Sequence, residues 1–435
     1  MCAELHRRAK ILVAELLQSI RGKVFQNIGV TFLAQLVSKF LFGISFVIVV
    51  RGLGQSDMGV YSVIQSIVVV TSGVMLQGVN WGLVQRIPRS SPEKRSIFLR
   101  GALGFVITLT VVVGSALFVS SIFFPSLFGS SKGVARYGWV FPFAILAYGL
   151  SGHGKACLEG GQYFKESAVV SVVQNTFWLL SFGGLYALQM LNLKLVLLLL
   201  YVGYSFPFLY VKVAKRNVYN YKGDKISAVR VIWRDSKWYV AYGGLLTVAS
   251  QVDLLSMYHF FPLDQVGVYA VALKIFSVSM LGIAALQSVL LPRLATAHGR
   301  EELESLFWRM VRLSVPIAMF AGFFLIVAAK YIVLIVGGEK FLGAVTPFRV
   351  LSLAIAESIL LSTHSQFLMV AKRYLSLLLS GVVYFLTSVI LSYTLIRAFG
   401  SVGAAFAVLG SLLITHLFVT SSVVFMFRSH QPIPT

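Results

Sequence analysis

The chain has 435 residues, 57% of them hydrophobic and 12% charged, with a mean hydropathy of +0.84. Soluble domains average about 45–50% apolar and about 25% charged residues, so the composition excludes an ordinary soluble protein and points to a polytopic membrane protein. The net charge of +22 would suggest nucleic acid in a soluble chain, but here the bases sit mostly in short loops between apolar runs and no binding motif accompanies them, so no nucleic-acid partner is expected.

Segment 1–23 places Leu5, Ala9, Leu12 and Leu16 at helical spacing with Arg7, Arg8 and Lys10 between them, which predicts an amphipathic helix on the cytoplasmic membrane surface. It does not resemble a signal peptide, because its apolar run 11–17 is short, broken by Glu15 and lacks a small-residue cleavage site. Twelve apolar runs of membrane-spanning length follow, near 28–50, 58–83, 101–124, 138–158, 168–189, 194–212, 238–260, 266–291, 312–335, 345–369, 375–396 and 402–426. The spacing predicts an all-α protein of two six-helix lobes, 24–212 and 238–426, joined by a basic linker 213–237 and followed by a tail 427–435. With both termini in the cytoplasm, the inward segments hold 27 Lys and Arg and the outward loops 6, the asymmetry that sets orientation. Cys2 and Cys157 have no metal or redox spacing, and no histidine pair has metal-ligand spacing.

Four bases fall within spans: Lys39, Lys274, Lys330 and Arg349. Lys39 lies about 11 residues, or roughly 16 Å, from either end of the first span, beyond snorkelling reach. Facing lipid there costs at least about 2.5–3.5 kcal/mol, so it is expected to line a cavity or to pair with an acid on another helix, such as Asp253 or Glu357. Arg51 ends the first span, as an interfacial anchor or a cavity-mouth residue. Gln77, Asn80 and Trp81 share one face of the second span, suited to sugar hydroxyls and rings or to interhelical packing. Asp253 in the seventh span is expected to pair with Lys274 of the eighth or to bind a coupling cation. Lys274 is too deep to snorkel and is expected to line the cavity. Lys330 and Arg349 lie nearer the outer interface, Arg349 being a further candidate cavity cation. Glu357 and His364, seven residues apart on one face of the tenth span, are candidates for a proton relay or for separate interhelical hydrogen bonds. Pro142, Pro207, Pro316 and Pro347 are placed to kink four spans.

The halves repeat. Gly59-Val60-Tyr61 and Gly267-Val268-Tyr269 match at an offset of 208, with Asp57 and Asp264 before them; Val84-Gln85-Arg86-Ile87 resembles Leu291-Pro292-Arg293-Leu294 at 207. Both copies open an even-numbered span from the outer face, so the pseudo-two-fold runs along the membrane normal, an arrangement of alternating-access transporters.

The 6 + 6 duplication, the R-G-L-G-x-x-x-x-G-x-Y element at Arg51 to Tyr61 and D-x-x-G-x-Y from Asp264 resemble the polysaccharide transporter branch of the multidrug/oligosaccharidyl-lipid/polysaccharide (MOP) exporter superfamily, closest in kind to Wzx-type O-antigen flippases. The resemblance covers nearly the whole chain. It implies a non-enzymatic flippase in a bacterial inner membrane, moving undecaprenyl-pyrophosphate-linked oligosaccharides from the cytoplasmic to the periplasmic leaflet through a cationic central cavity between two V-shaped lobes. It implies no cofactor beyond H+ or Na+ as a coupling ion. The implied partners are the lipid-linked glycan, the bilayer and the polymerase and chain-length proteins of glycan assembly, with the transporter itself a monomer. Ser38-Lys39 falls where lipid II flippases carry Ser-Arg, whereas Ile44-Ser45-Phe46 departs from their following Arg-Asp, which argues against lipid II as the cargo. A multidrug extruder needs net acid in its cavity, and four in-span bases against Asp253 and Glu357 lean the other way. A glycan polymerase or ligase needs large outer loops, and these loops have about a dozen residues or fewer. No G-x-x-x-x-G-K-[ST] element for ATP drive occurs.

Overall fold

The computed structural model describes residues 23–128, 133–220, 225–295, 300–371 and 373–428. The expected amphipathic segment lies outside them, apart from Lys23. Twelve α-helices are described: α1 (Lys23–Gly52), α2 (Gln55–Arg86), α3 (Pro92–Phe123), α4 (Val140–Gly160), α5 (Phe164–Ala187), α6 (Leu193–Tyr204), α7 (Phe206–Ala214), α8 (Lys225–Phe260), α9 (Leu263–Ala295), α10 (Arg300–Gly337), α11 (Val345–Val370) and α12 (Tyr374–Arg428). Ten helical stretches are long and apolar enough to cross a membrane. One of them, the 54-residue Leu375–Arg428, is two spans meeting at Gly400, whose φ of 57° and ψ of −132° break the helix in a region open only to glycine. With α4, whose hydropathy His153, Lys155 and Glu159 dilute, the predicted twelve spans are accounted for.

Local sequence explains the breaks. Ser91 caps α3, its Oγ accepting from the Lys94 amide, with Pro92 at the first helical position and Glu93 in the first turn. Asn192 caps α6 by accepting from Leu195 at 3.0 Å. Of the four prolines expected to kink spans, Pro207 coincides with a break, between α6 and α7. Pro142 and Pro347 occupy first turns of α4 and α11, where the missing N–H has no intrahelical acceptor to lose. Pro316 lies inside an unbroken α10. α8 starts at Lys225 rather than near 238, because the charged stretch before the apolar run is also helical.

Helices α1–α7 form one lobe and α8–α12 the other. In the first, α1 packs on α5, and α2 and α3 on α4; in the second, α8 and α11 pack on α12, and α9 and α10 on α11. The apolar core is shared at the Arg51 end, where Val50, Leu53, Val63 and Ile64 join Leu254, Val266, Val271 and Phe348 in one buried cluster. Towards the basic-loop end it divides into two: one around Leu83, Leu99 and Leu158, the other around Phe307, Phe367 and Phe427. The lobes thus share one core at the Arg51 end; at the other end the core divides, with Ile232 of α8 joining the first-lobe cluster through the α2–α8 and α3–α8 contacts.

The joined end explains the repeated glycines. A Cβ on Gly59 would overlap the Leu263 carbonyl oxygen, and one on Gly267 would overlap that of Gln55. These four residues form two pairs at the 208 offset, so α2 and α9 cross backbone to backbone on the pseudo-two-fold. A polar latch lies beside the crossing. Arg51 donates from Nε and Nη2 to the Ile335 carbonyl oxygen of α10 at 3.1 and 2.8 Å, and Lys340 donates to the Arg51 and Leu53 carbonyl oxygens at 2.8 and 2.6 Å. The Gln55 amide also donates to the Lys340 carbonyl. On one side α2 and α3 pack against α8 and α9; on the other, α1 and α9 barely touch among the described residues.

Candidate functional site

Among the described residues, the shared core and the close packing of α2 against α8 and α9 leave a polar chamber between the lobes, a cavity of about 300 Å³. Hydroxyls and amides alternate in its wall with apolar side chains such as Val69, Leu254 and Phe276: Ser62, Gln65 and Ser66 from α2, Tyr148 and Tyr204 from α4 and α6, Ser250 and Gln251 from α8, Ser277 from α9, and Tyr384, Ser388 and Ser392 from α12. Ser66 donates to Gln251 Oε1 across the lobes at 2.7 Å, and Gln65 donates to the Tyr201 hydroxyl at 3.2 Å. Its one acid and one base are Asp253 and Lys274. They do not form the expected ion pair. The Tyr269 hydroxyl donates to Asp253 Oδ2, and Asp253 Oδ1 is buried without a partner. Intrahelical geometry favours Tyr269, because at 2 residues past Gly267 it sits one and a half turns nearer the joined end than Lys274, level with Asp253 on the neighbouring helix.

A second cavity, of about 320 Å³, lies within the first lobe. α1 contributes Ser38 and Lys39, α4 contributes Lys155 and Glu159, and α5 contributes Gln174, Asn175 and Trp178. Lys39 is exposed into it rather than paired with Asp253 or Glu357, each of which has another partner. Lys155 is near enough to interact electrostatically with both Lys39 and Glu159. Asn175 donates to the Ser38 hydroxyl at 2.6 Å, fixing the α1–α5 contact one residue from Lys39. Tyr204 lines both cavities and forms the wall between them.

The central cavity is therefore not the cationic chamber that was expected: it holds one base and one acid, and two further lysines lie in the adjoining cavity of the first lobe. Arg51 belongs to the latch. Arg349 is exposed and lines neither cavity. Asn80 packs on Gly152 of α4 and Trp81 is exposed, and neither lines either of these two cavities. The Gln77 side chain lies outside the described residues. Glu357 contacts His416 of α12, and the His416 ring packs on His364 with centroids 4.6 Å apart. The expected same-face pair is thus bridged by a third residue from another helix. Sequence reasoning missed His416, Lys155 and Tyr269. A histidine in the apolar run of the last span was the available signal for the first, and the 208 repeat for the last.

Two six-span halves around an axis along the membrane normal, with polar cavities between and within them, define a multi-pass membrane protein with the fold of solved MOP transporters. Solved structures of this fold include the lipid II flippase MurJ in an inward closed conformation, at 16% identity and TM-score 0.73 over 91% of this chain and 87% of that one. An inward-facing multidrug resistance MATE family transporter of the MOP superfamily matches at 14% identity and 0.72, over 92% and 100%. An outward-facing MATE transporter matches at 14% and 0.60, over 95% and 98%. The chain belongs to the polysaccharide biosynthesis protein family, whose pattern matches residues 48–346. A search of curated proteins finds no match.

Proposed function

We propose that the protein is a flippase that moves an undecaprenyl-pyrophosphate-linked oligosaccharide, an O-antigen repeat or a related surface glycan, from the cytoplasmic to the periplasmic leaflet of a bacterial inner membrane. The supporting observation is the pair of adjoining polar cavities beside the loosely packed α1–α9 side, holding Lys39, Lys155 and Lys274. A pyrophosphate entering between α1 and α9 meets these lysines while its lipid tail stays in the bilayer. The hydroxyl- and amide-rich central wall suits sugar hydroxyls. At about 300 Å³ that chamber is at the lower end of ligand-pocket volumes, so the distal sugars extend beyond it towards the basic-loop end. Both termini lie in the cytoplasm, as the 27-to-6 base asymmetry favours, and the joined end then faces the periplasm.

The test is deletion followed by analysis of surface glycan and of lipid-linked intermediates. Loss of surface glycan with a cytoplasm-facing intermediate accumulating supports flipping; normal glycan with altered dye efflux refutes it in favour of a drug extruder. Within the cavity, Lys39→Ala should lower glycan export about tenfold or more, the effect of removing one charge-assisted phosphate contact. Lys39→Arg should retain most of it. Full export by Lys39→Ala would remove Lys39 from the headgroup site.

A further inference from the structure

An open groove of about 710 Å³ runs between α3 of the first lobe and α8 of the second, at the basic-loop end and apart from both cavities. Gly101, Gly104, Phe105 and Thr108 of α3 face Arg230 and Trp233 of α8 across it. The α3 residues recur at i, i+3, i+4 and i+7 and so share one helix face. A Cβ on Gly104 would meet no atom within 4 Å, so this glycine opens the groove rather than serving a close helix contact. At the 208 offset Gly101 and Gly104 correspond to Arg309 and Arg312. The small pair is therefore no part of the scaffold that the two halves share.

The groove is apolar along α3 and basic at one edge. Gly101 opens the apolar run of α3, and Arg230 precedes that of α8 by eight residues, about 12 Å. With the basic loops in the cytoplasm, the groove lies where lipid chains meet headgroups in the inner leaflet. Arg230 and Trp233 are both exposed, the tryptophan at the level that interfacial aromatics occupy. The α3 face continues to Lys94, also exposed, seven residues before Gly101. No acid lines the groove among the described residues. An apolar trough with a guanidinium at its headgroup end complements an anionic amphiphile. It disfavours residues 1–22 of the same chain, whose Arg7, Arg8, Lys10 and Arg21 outnumber Glu4 and Glu15.

We propose that this groove binds one anionic diacyl phospholipid of the cytoplasmic leaflet, its phosphate on Arg230 and one acyl chain along Gly101 and Gly104. The lipid touches α3 of the first lobe and α8 of the second. Its binding therefore ties the lobes together on the close-packed α2–α8 side and leaves the α1–α9 side as the one that parts. The site does not depend on the cargo; it rests on the basic-loop end lying in the cytoplasmic leaflet.

Trp233 is a native reporter for the test. The full purified chain in detergent is titrated with phosphatidylglycerol or phosphatidylcholine brominated on one chain, and tryptophan quenching is followed. The Trp233→Phe chain gives the contribution of the other tryptophans, which is subtracted. Phosphatidylglycerol should quench saturably, with a midpoint about fivefold lower than that of phosphatidylcholine, the effect of one basic contact near a membrane surface. Arg230→Gln should erase that difference and keep the quenching at high lipid. Gly104→Leu, whose Cβ meets no neighbour, should abolish saturable quenching by both lipids. Its melting temperature should hold or rise, because leucine is the better helix former. Equal midpoints for the two lipids in the parent overturn the proposal, as does unchanged saturable quenching in the folded Gly104→Leu chain. Displacement of phosphatidylglycerol by equimolar undecaprenyl phosphate also overturns it and makes a polyprenyl lipid the occupant. So does stronger quenching by both lipids after deletion of residues 1–22, which makes that segment the occupant. Failure of the flippase reading would appear in the glycan analysis and leave this titration intact.

Discussion

The latch at the joined end sets how often the lobes part there, and its strength follows from its bonds. Arg51 and Lys340 each make two charge-assisted hydrogen bonds to backbone carbonyls across the crossing, at 2.6–3.1 Å. Both side chains are exposed, so each is credited with only about 1 kcal/mol, below the range for buried charged bonds. Replacing both by alanine removes about 2 kcal/mol from the closed state alone and shifts the closed-to-open ratio about 30-fold, since 1.4 kcal/mol corresponds to tenfold. Labels on cysteines introduced at the exposed positions Ser56 and Glu339, with Cys2 and Cys157 replaced, report the separation of the lobes in liposomes. The Arg51→Ala/Lys340→Ala chain should show a long-distance population that the parent lacks or holds at a few per cent. An unchanged distance distribution would show that the crossing helices alone hold this end shut.

The same label pair should respond to Gly59→Ala and Gly267→Ala, each of which puts a methyl against a partner backbone carbonyl; a distribution identical to the parent's would mean the crossing yields at no cost. Tyr269→Phe should lower stability by about 1–3 kcal/mol, because it strips the buried Asp253 of its side-chain hydrogen bond, and adding Asp253→Asn should recover part of the loss in a thermal melt. Gly400→Ala should cost about 1–3 kcal/mol in the same melt, since alanine is strained at φ 57° and ψ −132°; an unchanged melting temperature would show that the α12 break can be redrawn. Lys274→Ala should reduce glycan export more than Arg349→Ala, which lies outside both cavities.

The spans and their duplication were legible because both are one-dimensional signals, a hydropathy run and a constant offset. What each repeated residue does was not. Gly59 and Gly267 could be matched as letters, but the backbone overlap that requires glycine exists only once α2 and α9 cross. Lys155 counts among the inward bases although it lies inside the expected run 138–158; the helix, Val140–Gly160, carries it into a cavity. Residues 225–237 looked like a linker because they are charged, yet charge is compatible with a helix that extends beyond the bilayer. Arg51 finds a backbone carbonyl 284 residues away, and no side-chain pattern announces a backbone acceptor. His416 escaped for a related reason: its partner Glu357 is 59 residues distant, so no local spacing links them.

The two halves kept their scaffold and divided their chemistry. At the 208 offset the crossing glycines and the tyrosines Tyr61 and Tyr269 are the same in both lobes, because the pseudo-two-fold contact needs both copies. The ionisable positions differ. Asp253 has Ser45 opposite it, Lys39 has Thr247, and Lys274 has Ser66. The first lobe therefore presents lysines, Lys39 and Lys155, towards the α1 side, while the second holds its acids in hydrogen-bonded pairs, Asp253 with Tyr269 and Glu357 with His416. A symmetric arrangement would place like charges on both sides of the central chamber, binding an anion equally from either lobe. In the asymmetric one the first lobe supplies Lys39 and Lys155 to the proposed headgroup and the second a single cavity lysine, Lys274. Moving a lysine to the second lobe's cavity wall, as Ser277→Lys with Lys39→Thr, tests that division: restored export would show that only the cavity's total charge matters, and continued failure in a chain that still folds that the lobe bearing the charge does.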